Sequence, residues 1–138
     1  MLEKDKIQKL YDEASKARLN SYSPYSKFKV GAAILLKNGK IISGFNIENS
    51  SYGLCNCAER NALFRTYMEG YNKEDIDVLL VLADTDRAVS PCGACRQVMS
   101  ELMNLDTKVI LANLKDDIIE TTVDKLIPYS FNSGDLNV

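Results

Sequence analysis

Val78-Leu79-Leu80-Val81-Leu82-Ala83 leads, after a short connection, into Ser90-Pro91-Cys92-Gly93-Ala94-Cys95. A continuous apolar run of this length is typical of a strand that is buried on both faces. Ser90 is a favoured N-cap residue and Pro91 is favoured at the first helical position, so the pattern predicts a helix from Pro91 to about Met103. Together the two segments predict a βα unit of an α/β fold.

The segments upstream predict a helix and a hairpin. The pattern predicts an amphipathic first helix over residues 3–19. Apolar side chains recur at near-helical spacing from Leu2, just before this range, through Ile7, Leu10, Ala14 and Ala17 within it. The stretches Phe28–Leu36 and Lys40–Phe45 have strand-like composition. Asn38-Gly39 between them is typical of a type I′ turn, so the two strands are expected to pair.

Two more segments complete the expected architecture. Residues 57–70 are helical in character, and Lys108–Ala112 resembles a further buried strand. Repeated strand-then-helix units predict a three-layer α/β/α sandwich with a mixed sheet of about five strands. No linker or internal repeat is visible, so residues 1–138 are expected to form a single domain.

Composition excludes several classes of function. Seventeen Lys and Arg stand against nineteen Asp and Glu, with no basic block, so a nucleic-acid partner is disfavoured. No stretch reaches the ~18 apolar residues of a membrane span, so no membrane partner is expected. Cysteines kept as reduced thiols agree with a cytoplasmic location.

Cysteines and one carboxylate form the candidate reactive group. Cys57-Ala58-Glu59-Arg60 precedes Cys92 and Cys95, and the chain has no histidine. Without histidine, a Ser-His-Asp triad and a Cys-His pair are impossible. Three thiolates can hold Zn²⁺ and leave its fourth position open for water. Glu59 is two residues from the candidate ligand Cys57, so its carboxylate can take protons from that water and return them. The pattern therefore predicts a hydrolytic zinc site.

Cys55 leaves alternatives open. Four cysteines are present, which is the number that an iron–sulfur cluster or a closed four-thiolate zinc site uses. Residues i and i+2 of a helix point apart, and structural zinc sites usually space each cysteine pair by two to four residues, which Cys55 and Cys57 do not satisfy. A disulfide framework is disfavoured because a chain of this size can build an apolar core.

The expected charge of the site calls for a cation nearby. Helix N-termini stabilise thiolates, but three thiolates around Zn²⁺ still leave a net negative charge. Arg60 and Arg96 lie next to the candidate ligands, and a guanidinium that donates to sulfur would offset this charge. Each could instead be an ordinary solvated surface arginine.

Several motifs together resemble the small, homotetrameric cytidine deaminases of pyrimidine salvage. The likeness covers nearly the whole chain and is carried by these segments: Ser21-Tyr22-Ser23-Pro24-Tyr25-Ser26, Asn46-Ile47-Glu48-Asn49, Cys57-Ala58-Glu59-Arg60, Pro91-Cys92-Gly93-Ala94-Cys95-Arg96-Gln97, Leu126-Ile127-Pro128 and Phe131. The resemblance implies a cytidine deaminase-like fold with one Zn²⁺ per chain, held by Cys57, Cys92 and Cys95. It also implies that Glu59 is the proton shuttle.

Residues for the substrate follow partly from spacing and partly from the resemblance. Asn46 and Glu48 are two apart at an expected strand end, so both side chains project from one face and can bind vicinal hydroxyls. In the family the matching positions bind the sugar, and Phe28 stacks near the base, although an ordinary core position would also suit Phe28. The resemblance further implies that backbone groups of Ala58 and Ser90 bind the base edge.

The resemblance extends to the assembly. The matching tyrosine, Tyr52, and the C-terminal phenylalanine, Phe131, would help to close a neighbouring subunit's pocket in a homotetramer. Phe131 stands alone in a tail rich in Gly, Ser and Asn, where an aromatic side chain cannot easily form its own core. It could also be a simple anchor of the tail on its own chain.

Three hypotheses for function remain. The first is hydrolytic deamination of cytidine and deoxycytidine, as small nucleosides, to uridine and deoxyuridine with release of ammonia. The second is deamination of another aminopyrimidine, such as a blasticidin-S-type antibiotic. The third is a zinc-stapled binding module, which Glu59 disfavours because a structural site needs no such carboxylate.

Overall fold

The structure, a computed structural model, describes residues 3–136. Its helices are α1 (Lys4–Arg18), α2 (Ala58–Met68), α3 (Gly93–Leu102) and α4 (Val123–Leu126). Its strands are β1 (Val30–Leu36), β2 (Ile41–Phe45), β3 (Ile76–Ala83), β4 (Lys108–Asn113) and β5 (Ile118–Thr122). Leu2, expected beside the first helix, lies outside the described residues. Within residues 3–136, no helix combines the length and the apolar character that crossing a membrane requires.

The five strands form one mixed sheet in the order β2-β1-β3-β4-β5. β3 and β4 run parallel and are connected by α3, whereas the other neighbouring pairs are antiparallel. On one face, α1 places Leu10 and Ala14 against the sheet. On the other, α2 and α3 contribute Leu63 and Met99 to a second core. The prediction of an α/β fold with three layers and a mixed sheet is confirmed.

The two helices that carry the cysteines begin later than the sequence predicts. The expectation that Ser90 caps α3 is wrong, because Cys92 is the N-cap and the helix begins at Gly93. The Ser90 hydroxyl instead accepts a hydrogen bond from the guanidinium of Arg96. Cys57 is likewise the N-cap of α2, and neither cysteine side chain caps its own helix. Both thiols therefore stand at helix N-termini with their sulfur atoms free to meet.

The hairpin of β1 and β2 forms, but its turn differs from the expected type I′. That turn needs positive φ at both central residues, and of Asn38 and Gly39 only Gly39 has it, at 93°. Its N–H donates to the carbonyl of Leu36 at 2.9 Å, so Lys37 and Asn38 are the central residues and Gly39 follows them in the left-handed region. A glycine suits this position because it has no Cβ to clash.

β2 and α2 pack backbone against backbone at Gly44. A Cβ at this position would lie 2.6 Å from the N atom of Ala62 and 2.8 Å from the carbonyl oxygen of Ala58. No side chain fits such a gap, so the glycine sets how closely α2 approaches the sheet. The first turn of α2 carries Cys57 and Glu59, and its position therefore depends on this contact.

Candidate active site

The thiols of Cys57, Cys92 and Cys95 form a compact cluster. Their Sγ atoms all lie within 4.8 Å of one another, and those of Cys57 and Cys92 are 3.8 Å apart. Sulfur ligands about 2.3 Å from a tetrahedral zinc ion are about 3.8 Å from each other. The three side chains therefore fit one Zn²⁺ by both donor type and spacing.

The charge of this cluster also suits a cation. The hydrogen bond from Cys95 lowers the pKa of the Cys57 thiol to about 5, and the guanidinium of Arg60 contributes to this shift. The same hydrogen bond, together with burial, raises the pKa of Cys95. Two helix N-termini add partial positive charge beside the sulfur atoms. A cation that displaces the remaining protons gains negatively charged ligands in fixed positions.

Cys55 lies outside the cluster. Its sulfur accepts a hydrogen bond from the N–H of Asn49 at 3.3 Å, and it lies 3.6 Å from the carbonyl oxygen of the same residue. Only the other three cysteines are close enough to share one ion among the residues that the structure describes. The geometry therefore favours an open site with three thiolates over a closed site with four.

The two candidate arginines have different surroundings. Arg60 Nη2 donates to the sulfur of Cys57 at 3.5 Å, so its positive charge lies against the cluster. Arg96 instead donates to the carbonyl oxygens of Pro91 at 2.9 Å and Leu126 at 2.7 Å. Arg96 therefore joins the start of α3 to the end of α4, and Arg60 is the cation that can offset the charge of the thiolates.

Glu59 is buried at the second position of α2, with 4% of its surface exposed. Burial raises the pKa of its carboxyl to about 7, and the charge of the Cys57 thiolate contributes in the same direction. A carboxyl group with a pKa near neutrality can both accept and return a proton. Its burial beside the thiols of Cys57 and Cys95 is costly for stability, which makes Glu59 a candidate for a chemical role.

A cavity of about 320 Å³ joins these groups to the expected substrate residues. The sequence-predicted residues in its wall are Phe28, Asn46, Glu48, Cys57, Glu59 and Cys92. Ser90 also lines it, whereas the Ala58 side chain is fully buried. Residues from the N-terminal third of the chain thus meet the two cysteine motifs in one concave space, of the size that small ligands occupy.

Asn46 and Glu48 are held in place by the segment that leads into β1 and by the first residue of that strand. Asn46 Oδ1 accepts from the N–H of Val30 at 2.9 Å, and its Nδ2 donates to the carbonyl of Phe28 at 2.7 Å. Glu48 Oε1 accepts from the N–H groups of Tyr25 and Ser26 at 3.0 and 3.1 Å. Both side chains line the cavity in fixed orientations.

Tyr52 and Phe131 do not line this cavity. Tyr52 is 74% exposed, packs edge-on against Tyr25, and borders a neighbouring cavity of about 290 Å³. Phe131 is 56% exposed and lines a different cavity beside the C-terminal end of α3, with its carbonyl bonded to Gln97. Within one chain, neither ring closes over the thiol cluster.

Comparison with known proteins agrees with this geometry. A family model described as "Cytidine and deoxycytidylate deaminase zinc-binding region" matches residues 4–112, which hold the cysteine cluster and Glu59. The chain belongs to this family. Its zinc-binding character fits the three thiols found here, so the cofactor of the site is zinc.

Similar proteins match nearly the full length of this family member. The cytidine deaminase of Halalkalibacterium halodurans is 57% identical over 130 residues, covering 94% of this chain and 97% of that protein. The one from Sporosarcina psychrophila is 52% identical and covers 95% of each. A crystal structure of cytidine deaminase from Burkholderia pseudomallei has a TM-score of 0.88 at 45% identity, covering 90% of this chain and 98% of that chain.

Sequence reasoning gave no role to five further residues of the deaminase cavity, which are Ser26, Val30, Asn56, Val81 and Val89. Val81 and Val89 form apolar wall, and Ser26 lies beside Glu48. Val81 lies in a buried strand and Val89 in the connection that follows it. Apolar residues are expected at such positions for packing alone, so no pattern singles them out. Ser26 ends a Ser-Pro-Tyr-Ser stretch with turn composition, which was the available signal.

Proposed function

We propose that the chain catalyses hydrolytic deamination of cytidine and deoxycytidine to uridine and deoxyuridine, with release of ammonia. The observation that carries this proposal is the buried Glu59 carboxyl beside three clustered thiols in the wall of one cavity. A zinc-stapled binding module needs neither the carboxylate nor the cavity. The relatives named above, at 57% and 52% identity, carry the name of this activity.

In the proposed mechanism Cys57, Cys92 and Cys95 hold the metal. A bound zinc ion supplies a Lewis acid that makes water nucleophilic at neutral pH. Glu59 takes the proton that this water loses as its oxygen bonds to C4 of the base, and passes it to N3. Glu59 then takes the second proton from the new C4 hydroxyl and delivers it to the exocyclic amine, the C4–N bond breaks as the C4 carbonyl forms, and ammonia leaves.

The remaining proposed substrate contacts follow the shape of the cavity. Asn46 and Glu48 bind the sugar hydroxyls, and Phe28 stacks near the base. Backbone groups at Ala58 and Ser90 bind the base edge, where they would hold C4 within reach of the cluster. Phe28 is 43% exposed in the free chain, which supports a ligand contact over a core role.

The cavity favours a nucleoside over a nucleotide. Two carboxylates, Glu48 and Glu59, line it, and none of the described residues in its wall is Lys or Arg. A 5′-phosphate would normally be met by a guanidinium, an ammonium or a helix N-terminus. The Asn46 and Glu48 pair also favours a ribosyl or deoxyribosyl substrate over an aminopyrimidine antibiotic whose sugar offers the pair no hydroxyl.

We further propose that residues 1–138 act as a single domain within a homotetramer in pyrimidine salvage, in the cytoplasm. One sheet with a core on each face supports a single domain. The exposed rings of Tyr52 and Phe131 support sites shared between subunits. A site built from reduced thiols supports a reducing compartment.

The test of the proposed function is an ultraviolet assay with zinc analysis on the same sample. Cytidine and deoxycytidine should be deaminated, whereas cytosine and cytidine monophosphate should react far more slowly. One zinc per chain is expected. Turnover of cytidine monophosphate at a rate comparable to cytidine would contradict the nucleoside assignment, and absent turnover of every compound by zinc-loaded protein would contradict deamination.

Replacing Arg60 should lower activity without unfolding the site. Arg60→Ala removes the guanidinium that donates to Cys57, so the thiolates keep their full negative charge. We expect kcat to fall about 10- to 100-fold, the usual effect of removing a partner of a metal ligand. Arg65→Ala is the matched control, because Arg65 lies one turn further along α2 and pairs with Glu69. Equal activity of the two variants would show that the Arg60 charge has no role.

Phe131 provides a test of the shared site. Phe131→Ala should raise KM about tenfold, as loss of an aromatic anchor at an interface does. Leu136→Ala is the control, since Leu136 is a similarly exposed apolar side chain of the same tail. Light scattering on the parent chain should give a mass near four chains. A fully active monomer at the assay concentration would refute sharing between subunits.

A further inference from the structure

A tight turn, residues 23–27, forms part of the cavity's rim. The N–H of Lys27 donates to the carbonyl of Ser23 at 3.0 Å, and Lys27 has a φ of 61°, in the left-handed region that non-glycine residues rarely adopt. This conformation points the N–H groups of Tyr25 and Ser26 at Glu48 Oε1. The carboxylate and the turn thus hold each other in place.

The Ser26 hydroxyl connects two cavity residues. Its oxygen accepts from the N–H of Phe28 at 3.0 Å, and its proton is donated to Glu48 Oε2. A hydroxyl has one proton, so the bond from Phe28 leaves Glu48 as its acceptor. This hydroxyl is also the largest cause that lowers the pKa of Glu48. Ser26 itself lines the cavity.

The hydrogen bonds of Glu48 and Asn46 leave each side chain one position for a ligand. An ionised carboxylate has about four acceptor positions. Glu48 uses three of them for the turn, so one remains on Oε2. Asn46 Oδ1 accepts from both Ser21 and Val30, and its Nδ2 donates once, to Phe28. One N–H of Asn46 therefore remains.

We propose that Ser26 is a positioning residue that restricts Glu48 to a single free acceptor, so that the Glu48 and Asn46 pair holds a sugar hydroxyl of the substrate in one orientation. The hydroxyl donates to Glu48 Oε2, and Asn46 Nδ2 donates to the same hydroxyl or, in a ribose, to its neighbour. This inference rests on the proposed function and adds to it the residue that determines sugar specificity. Without the Ser26 hydroxyl, Oε2 loses its restraint and the carboxylate can turn away from the hydroxyl that it binds.

The alternative is that Ser26 only closes the turn. Loss of its hydroxyl would then disturb Phe28 and the cavity rim for every substrate alike. The two roles differ in one measurable quantity, which is the ratio of kcat/KM for a substrate with both hydroxyls to that for a substrate with neither. Any unfolded fraction of a variant lowers both values equally, so this ratio does not depend on stability.

The experiment compares cytidine with 2′,3′-dideoxycytidine in four proteins. These are the parent chain, Ser26→Ala, Ser26→Thr and the control Thr85→Ala, which removes a loop hydroxyl bonded to the Arg87 carbonyl away from the cavity. Ser26→Ala should lower kcat/KM for cytidine about tenfold, through KM, as loss of a hydrogen bond to a charged group predicts. The value for 2′,3′-dideoxycytidine should be nearly unchanged. Ser26→Thr, which keeps the hydroxyl, should retain the parent ratio, and so should Thr85→Ala.

Two results would overturn the inference. Equal losses on both substrates in Ser26→Ala would show a general structural role. An unchanged kcat/KM for cytidine would show that Glu48 does not need the hydroxyl. Failure of the proposed function gives a different result, because the parent chain itself would then not deaminate cytidine.

Discussion

Glu59→Gln should lower kcat by about 10²- to 10⁴-fold, the usual contribution of a general acid-base group. The amide has nearly the same shape as the carboxyl group, but it cannot accept and return a proton. Because Glu59 is not a member of the thiol cluster, zinc content should stay at one ion per chain. The measurements are steady-state deamination of cytidine and metal analysis of the same preparation.

The control for this variant is Glu69→Gln. Glu69 ends the same helix and pairs with Lys40 and Arg65 at the surface, far from the thiols in sequence. Its replacement tests whether removing any acid from α2 affects turnover. If Glu59→Gln keeps near-parent kcat, Glu59 is not the proton shuttle, and the proposed mechanism fails with it.

The cysteine variants should separate three metal ligands from one bystander. Cys57→Ser, Cys92→Ser and Cys95→Ser should each lose zinc and nearly all activity, since a serine hydroxyl is a poor substitute for a thiolate on zinc. Cys55→Ser should keep both, because the sulfur of Cys55 bonds to the backbone of Asn49 and lies outside the thiol cluster that the described residues form. Metal analysis after dialysis against a chelator gives the comparison.

Cys55→Ser is the control for the other three variants, because all four substitutions replace sulfur with oxygen. Zinc lost equally from all four variants would mean that a closed four-thiolate site forms. Such a site would leave no open metal position for water, and the case for hydrolysis would collapse.

Most of the fold could be predicted from local patterns. The runs that became β1, β3 and β4 are continuously apolar because helices cover both faces of the sheet, and α1 shows a clear amphipathic period. β5 was not predicted, because it is an edge strand with an exposed surface and no regular alternation of apolar residues. Its pairing with β4 is decided by tertiary contact, not by its own sequence.

For the site, too, local motifs predicted some features, whereas others depend on contacts between distant parts of the chain. The three thiols could be placed together from their motifs, since both helices were expected to start near them. The N-cap residue of α3 could not be predicted from the sequence. The Ser90 hydroxyl, expected to cap the helix, accepts instead from Arg96 in the first turn of that helix. The role proposed for Ser26 depends on Glu48, which lies 22 residues further along the chain, and on the left-handed backbone of Lys27. No local pattern reveals such a contact.

The close approach at Gly44 has a consequence for redesign of this enzyme. The side of the cavity that carries Glu59 rests on a contact between two backbones, with no side chain between them that could be made smaller or larger. A designer who wants another base or another sugar has no adjustable position there. The part of the rim that residues 23–28 form is built from side chains and a surface turn, and substrate range can be engineered from that rim while the chemistry stays where it is.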